Sequence, residues 1–229
     1  MRTARLRHPC LAVAAAVGLA AACASRLPDY ARPVAEYREA PLASDADVIP
    51  YRTLERADFL ASEPPPQLSG ATDRLCAATC AQIVLDDVPV TIHGSGASFE
   101  ARPDRIRFRA LMDRRCSWWR PGPCPQPEAY VLQHEQVHFG LVELEARRLN
   151  LRSEALAEGA RARGRTPEEA SRRSRERIEA ILRDSSDAIL DGHTRFDEDT
   201  SLGYRPDRQQ AWYDRTMRDL SEAAAGARR

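Results

Sequence analysis

The sequence predicts an α+β fold, in which a small antiparallel sheet is followed by a long helical hairpin and a C-terminal helix. Apolar and polar residues alternate in short segments between residues 81 and 110. From Pro127 onward the apolar residues instead recur with helical spacing. Because the strands precede the helices, the α+β class is favoured over an alternating α/β fold. The folded part is expected to span residues 48–224.

The N-terminus is predicted to be a secretory signal peptide over residues 1–22. Residues 1–8 contain three arginines and no acidic residue, and residues 11–22 form an apolar run that ends in small side chains. A membrane-spanning helix needs about 20 apolar residues, so this run is too short to be one. The chain is therefore expected to be exported, and its expected location is the periplasm.

The end of the signal peptide indicates a lipid anchor on Cys23. Residues 19–23 read LAAAC and resemble a bacterial lipoprotein cleavage box, in which the cysteine is lipidated and becomes the new N-terminus. The alternative is ordinary cleavage near Ala22 or Ala24, which would release the protein from the membrane. Residues 23–47 are rich in proline, alanine and aspartate without periodicity, so we expect a flexible tether there.

Three strands are predicted in the first half of the folded part. Residues 81–85 and 88–93 are strand-like, and residues 86–87 between them would form a hairpin turn. Pro89 cannot donate a ladder hydrogen bond, which places its strand at a sheet edge. In the alternating segment 105–110 the arginines are expected to face solvent. Its residues expected to face the core are Ile106, Phe108 and Ala110.

The second half is predicted to be helical. A helix is expected over residues 127–162 with Gly164 at its end, because no breaker interrupts the pattern. Thr166 begins a capping box that opens a second helix over residues 167–192. A loop rich in Asp and Gly is expected after that helix. Pro206 then opens the C-terminal helix.

The cysteines predict two disulfides. Cys10 is removed with the signal peptide, and four more remain in the folded part, an even number in an oxidising compartment. These four are Cys76, Cys80, Cys116 and Cys124. A local pairing, 76 with 80 and 116 with 124, would close two short loops, and crossed pairs are the alternative. A four-cysteine zinc site is disfavoured because the spacings do not form CxxC knuckles.

The charge balance argues against nucleic acid as a partner. The chain carries 34 basic and 34 acidic residues, so its formal net charge is zero. Proteins that bind nucleic acid or anionic membrane surfaces usually carry an excess of positive charge. All the basic residues are arginine, which excludes chemistry that depends on a lysine amine, such as Schiff-base catalysis.

A metal-binding motif lies in the middle of the first predicted helix. His134, Glu135 and His138 form the pattern HExxH. Residues four apart share one face of a helix, so the two imidazoles can bind the same zinc ion, while the glutamate is rotated about 100° from the first histidine. In this pattern zinc lowers the pKa of water to about 7 and the glutamate is the general base.

A catalytic zinc ion needs a third protein ligand, which the local motif does not provide. Leu141 and Leu144 stand where the extended HExxHxxGxxH motif requires glycine and histidine. If the two helices pack antiparallel about residue 164, the segment 193–199 returns to the level of the motif. The third ligand is therefore expected to be His193, with Asp197 as the alternative.

Several segments in order resemble the bacterial predicted secreted zinc-dependent proteases, a family known as a domain of unknown function. The similar residues are Leu54 to Phe59, Ser117-Trp118, Leu132 to Phe139 with its HEQxHF core, Glu143, Ala146-Arg147, Phe196 to Thr200, Gly203 and Trp212. The resemblance implies a zincin-like domain over residues 48–224 with zinc and peptidase activity. The family often has histidine before the last glycine, whereas this chain has Leu202.

The function expected from the sequence is therefore that of an exported zinc-dependent peptidase. Its substrate would be a peptide or protein of the cell envelope. One alternative is a non-catalytic envelope lipoprotein, a binding or structural module in which HExxH is vestigial. Another is a peptidoglycan amidase, which would share the zinc but act on a different amide.

Overall fold

The computed structural model describes residues 47–68, 73–86, 88–96 and 98–226. Residues 1–46, which hold the predicted signal peptide, Cys23 and nearly all of the predicted tether, lie outside the described residues. The described part has small antiparallel sheets followed by helices, so the predicted α+β class is confirmed. The strands are β1 Val48–Pro50, β2 Ala77–Ala78, β3 Ala81–Leu85, β4 Val90–Ser95, β5 Ser98–Pro103, β6 Phe108–Asp113, β7 Trp118–Trp119 and β8 Ala162–Gly164. The helices are α1 Glu128–Leu151, α2 Ser153–Gly159, α3 Pro167–Thr200 and α4 Pro206–Gly226.

The strands form three small sheets, with the orders β1-β6-β3, β2-β7 and β4-β5-β8. The predicted hairpin between residues 81–85 and 88–93 is wrong, because β3 pairs with β6 and β4 pairs with β5. Strand β6 is the better partner for β3, since its alternating apolar residues share a face with those of β3 against α1. Strand β4 lies at an edge of its sheet, as Pro89 predicted.

The main core lies between the β1-β6-β3 sheet and α1. The residues predicted to face inward, Ile106, Phe108 and Ala110, are all buried. They pack in one cluster with Phe139, Val142 and Leu149 of α1. An apolar stripe recurring every three to four residues turns one face of α1 to this sheet, and burial of that face stabilises the helix more than its intrinsic propensity does.

The first predicted helix is shorter than expected and the second is longer. Instead of running to residue 162, α1 ends at Leu151, and a turn at Arg152 separates it from α2. Strand β8 then joins the third sheet before α3 begins, with Thr166 accepting a hydrogen bond from the Glu169 backbone amide as the predicted cap.

Helix α3 continues past Gly192 to Thr200, so the loop predicted after residue 192 is wrong. One glycine in a helix costs only about 1 kcal/mol. Gly192 is buried where α3 faces α1, and a Cβ atom there would lie 3.7 Å from Cδ1 of Leu141. The packing of α3 on α1 therefore outweighs the local helix-breaking signal.

The four cysteines of the folded part form two disulfides, Cys76–Cys124 and Cys80–Cys116. The local pairing expected first is therefore wrong. The two bonds are nested, and the bonded cysteines are 48 and 36 positions apart in the sequence. Together they hold both ends of the segment 76–80 against the chain that leads into α1.

Helix α4 closes the structure by packing along α1. The contact is close at Gly140, where a Cβ atom would lie 2.7 Å from Cγ2 of Thr216. Leu220, 5% exposed, continues the same contact. Within the described residues, none of the helices combines the length and the apolar character that a membrane crossing requires.

Candidate metal centre

Helices α1 and α3 bring two imidazoles and one carboxylate together. Nε2 of His134 and Nε2 of His138 each lie 3.2 Å from Oδ1 of Asp197. The two Nε2 atoms are also 3.2 Å apart. A metal ion can be held by histidine, cysteine, aspartate or glutamate side chains. Among the described residues, the ligand atoms of these three side chains lie close enough to one another to share one ion. The spacing of one turn in α1 supplies two of the three donors, and antiparallel packing of α3 supplies the third.

The donor triangle has the size that a tetrahedral zinc site requires. Zinc binds imidazole nitrogen and carboxylate oxygen at about 2.0–2.2 Å. Ligand atoms at the corners of such a tetrahedron are about 3.3–3.6 Å apart. The three separations of 3.2 Å therefore come close to the ligand spacing without movement of either helix. Two imidazoles with one carboxylate are also a donor set used in catalytic zinc sites.

The electrostatics of the site favour an anionic Asp197 beside a cationic His138. Burial alone would raise the pKa of Asp197, but the charge of His138 and hydrogen bonds from both histidines hold that pKa well below its usual range. Burial alone would lower the pKa of His138, yet the charge and hydrogen bond of Asp197 raise it. A proton thus competes with a metal ion for the same atoms.

The predicted general base, Glu135, is buried at 3% exposure and held by one hydroxyl group. Oγ1 of Thr79 donates a hydrogen bond of 2.8 Å to Oε2 of Glu135. Glu135 is the neighbour of His134 in α1, and its negative charge contributes to raising the pKa of His138. Thr79 lies between Cys76 and Cys80, so the two disulfides fix the segment that orients this carboxylate.

His193, which the sequence predicts as the third ligand, lies beside the donor triangle and is not part of it. Its ring packs on that of His138 with centroids 4.8 Å apart. Nε2 of His193 is buried and has no hydrogen-bond partner among the described residues. Burial and the neighbouring charge of His138 lower the pKa of His193 to about 3, so the ring is neutral. Asp197, named second, supplies the carboxylate of the triangle.

The register of the two helices explains this placement. A hairpin centred on residue 164 would set residue 192 beside residue 136. In the structure Gly192 instead lies beside Leu141, and Asp197 reaches both histidines of the motif. The turn at Arg152, α2 and β8 lengthen the connection between the helices. Since α3 continues as a helix, His193 and Asp197 lie one turn apart on one face, opposite the two histidines of α1.

A cluster of aromatic rings packs against the donor triangle on the α3 side. Phe196 is fully buried, and its ring lies 4.5 Å from that of His134 and 5.0 Å from that of His138. Trp212 of α4 packs on the far side of Phe196 at 5.5 Å. Its indole N–H donates a hydrogen bond to Asp199, which ties α4 to the end of α3. These rings limit the orientations that the two imidazoles can adopt.

The chain leaves α3 through a left-handed turn that places Gly203 against His134. Ser201, Leu202 and Gly203 all have positive φ, the glycine at 81°. A Cβ atom on Gly203 would lie 3.3 Å from Nδ1 of His134. The glycine carbonyl accepts hydrogen bonds from the side chains of Gln126 and Tyr130. Leu202 is thus part of a turn that packs against the candidate metal centre.

Sequence reasoning missed three residues around the site: Thr79, Phe196 as part of its wall, and Gln209 of α4. Oε1 of Gln209 lies 3.1 Å from Nδ1 of His134, and the side chain is fully buried. Thr79 and Gln209 are 56 and 75 residues from their partners along the chain. The one available signal for Gln209 was a polar residue on the face of α4 that also carries Trp212, Thr216 and Leu220.

Comparison with known proteins adds no assignment, since no family model, no curated protein and no solved structure matches the chain.

Proposed function

We propose that the protein is a zinc-dependent peptidase in which His134, His138 and Asp197 hold the metal ion. The observation that carries the proposal is the donor triangle with sides of 3.2 Å. Two of its donors belong to an HExxH motif, whose glutamate is buried beside it. Zinc in such a site supplies a positive charge that polarises a substrate carbonyl and lowers the pKa of water.

The side chains around that ion have separate roles in the proposal. Asp197 neutralises part of the positive charge and aligns the two imidazoles. Glu135 accepts a proton from water and later returns one to the leaving amine, and Thr79 holds its carboxylate for that task. Burial of these groups strengthens their electrostatic interactions with a substrate, because water does not screen them.

The proposal includes export and an envelope substrate. The signal-like N-terminus and the two disulfides support an oxidising compartment. Lipidation of Cys23 would keep the enzyme at the membrane through the tether of residues 23–47. The substrate class proposed is therefore a peptide or protein of the cell envelope.

Metal analysis of the purified full chain tests the binding step. We expect about one zinc ion per chain, as three protein donors around one ion imply. His134→Ala and Asp197→Ala should each lose it, because two remaining donors do not hold zinc at neutral pH. His93→Ala is the matched control, since this exposed histidine of β4 lies outside the donor triangle. Retention of zinc in both site variants would refute the proposed ligands.

Turnover of an unfolded protein such as casein tests the catalytic step. Glu135→Gln keeps the size of the side chain and an oxygen for the Thr79 hydroxyl, but it removes the base. We expect this variant to keep zinc and lose at least about 100-fold in kcat, within the range typical of general-base catalysis. Glu145→Gln, the same change elsewhere on α1, should leave activity unchanged. Parallel incubation with peptidoglycan sacculi separates a peptidase from an amidase.

A second candidate function is that of a binding module with a structural metal. The burial of the site favours it, since the side chains of His134, His138 and Asp197 are only 10%, 12% and 13% exposed. In that role the ion would cross-link α1 and α3 and require no turnover. Glu135→Gln would then change neither stability nor any activity, while removal of metal would lower the melting temperature.

A further inference from the structure

A chain of three glutamine side chains runs from the surface of α4 to the metal centre. Asp214 accepts a hydrogen bond from the amide nitrogen of Gln210 at 2.8 Å. Gln210 in turn accepts from Gln133 at 2.9 Å, and Gln133 accepts from Gln209 at 3.0 Å. The last oxygen in the series, Oε1 of Gln209, faces Nδ1 of His134 at 3.1 Å. We call these three glutamines the amide relay.

The direction of the amide relay is set by acceptors that cannot donate. An amide side chain can be turned over, which exchanges its oxygen and nitrogen, so its orientation has to be decided by its partners. The second N–H of Gln209 points to the backbone carbonyl of Tyr130 at 2.9 Å. A carbonyl only accepts, and so does the carboxylate of Asp214 at the other end. Both ends therefore demand the same orientation, with nitrogen toward the acceptor and oxygen toward His134.

The orientation of Gln209 decides that Nδ1 of His134 carries a proton. Oε1 of Gln209 can only accept, so Nδ1 of His134 must be the donor. Nε2 of the same ring faces Oδ1 of Asp197 at 3.2 Å, so in the metal-free chain any proton on Nε2 has that carboxylate as its acceptor. A metal ion held by the donor triangle would take the place of a proton on Nε2, whereas the proton on Nδ1 would stay.

We propose that Gln209 is a positioning residue that holds the proton of His134 on Nδ1 and thereby makes Nε2 the metal-binding nitrogen. The role of Nε2 as a metal ligand rests on the proposed function, whereas the location of the proton on Nδ1 does not. Metal-binding histidines commonly donate their second N–H to an oxygen, which fixes the ring and increases its basicity. Here the acceptor is fully buried and comes from α4, so the docking of that helix becomes part of the metal site.

The contrast with His138 supports a specific role for Gln209. Nδ1 of His138 is buried without a hydrogen-bond partner among the described residues. Its ring is instead held by Phe196 and His193 through packing. Among the described residues, it is therefore Nδ1 of His134, and not Nδ1 of His138, that has a hydrogen-bond acceptor.

The location of the proton can be measured in the metal-free full chain, independently of any activity. Long-range proton–nitrogen NMR spectra distinguish protonated from unprotonated ring nitrogens, and with five histidines in the chain each ring can be assigned from its single alanine variant. We expect Nδ1 of His134 to be protonated. An unprotonated Nδ1 in the wild-type protein overturns the proposal, whether or not the variants fold.

Two substitutions then test Gln209 itself. Gln209→Met has similar volume but no acceptor, and Gln209→Glu keeps an oxygen for Nδ1. The methionine variant should lose the preference for a protonated Nδ1 and bind zinc 10- to 100-fold more weakly in competition with a chromophoric chelator. The glutamate variant loses the N–H that Gln209 donates to the Tyr130 carbonyl, but it keeps an acceptor for Nδ1 and should therefore keep Nδ1 protonated. Unchanged tautomer and affinity in Gln209→Met overturn the proposal.

The outcomes separate this inference from the proposed function. If Nδ1 is protonated and responds to Gln209→Met but the wild-type chain does not bind zinc, the amide relay stands and the proposed metal site fails. Glu222→Gln is the matched control, since this exposed residue of the same helix lies outside the amide relay. In that variant zinc affinity and the tautomer should both match the wild type.

Discussion

Replacement of Gly140 by alanine is expected to destabilise the protein, although alanine is the better helix former. In an open helix position this change stabilises by about 0.8–1.0 kcal/mol. At Gly140 the new Cβ would lie 2.7 Å from Cγ2 of Thr216, closer than two carbon atoms can approach. Helices α1 and α4 would have to move apart, and overpacking of a buried contact costs about 1–3 kcal/mol.

The expected net effect of Gly140→Ala is a loss of up to about 2 kcal/mol, as the overpacking cost is reduced by the helix preference. Gly159→Ala is the matched control, because this helical glycine has no atom within 4 Å of the new Cβ. That variant should gain stability. The free energy of unfolding is measured by urea denaturation of both variants, with zinc removed.

A double-mutant cycle isolates the clash. Thr216→Ser removes Cγ2 but keeps the hydroxyl group, so Gly140→Ala should be much better tolerated in its presence. The remaining neighbours, atoms of Met217 and Leu220 at 3.5 and 3.7 Å, are at ordinary contact distances. We expect a coupling free energy of about 1–2 kcal/mol. If Gly140→Ala stabilises as much as Gly159→Ala, or if the coupling is zero, the packing of α4 on α1 described above is wrong.

Three further predictions concern the surroundings of the metal centre. Replacing Cys80 and Cys116 together by serine should lower the free energy of unfolding by about 2–4 kcal/mol in denaturant titrations, since a loop closed over 36 residues becomes free. If the proposed peptidase activity is found, Thr79→Val should lower kcat with little change in KM, whereas Thr79→Ser should restore it, because only the serine can still hold the Glu135 carboxylate. Burial lowers the pKa of His193 from 6.5 to about 3. Between these values the unfolded chain binds a proton that the native chain does not, so stability of the metal-free protein should fall as pH falls from about 6.5 toward 3, and His193→Leu should reduce that slope.

The features that local spacing determines were predictable from the sequence. The pairing of His134 with His138 on one helix face follows from a separation of one turn. The buried face of β6 follows from strict alternation, and the start of α3 follows from the capping sequence at Thr166. The return of the segment 193–199 to the level of the motif followed from the antiparallel packing expected of the two helices, although the segment is helical and not the expected loop.

The features that depend on long-range packing were not predictable in the same way. The register between α1 and α3 depends on a turn at Arg152 that no glycine or proline marks. The disulfides join cysteines that are 48 and 36 positions apart, and β3 pairs with β6 although β4 and β5 lie between them in the sequence. Gln209 reaches His134 only because Gly140 lets α4 approach α1 closely.

The length of α3 separates the candidate metal centre from the β4-β5-β8 sheet, so that the sheet can be labelled without disturbing the centre. With 34 residues the helix is about 51 Å long. Its first turns pack on the β4-β5-β8 sheet, and its last turns carry Asp197. Because the chain has no lysine, Ser98→Lys on that sheet would introduce its only side-chain amine. A fluorophore attached to that amine would report on rotational diffusion or on attachment of the protein to a surface. The donor atoms of the candidate metal centre would not be modified.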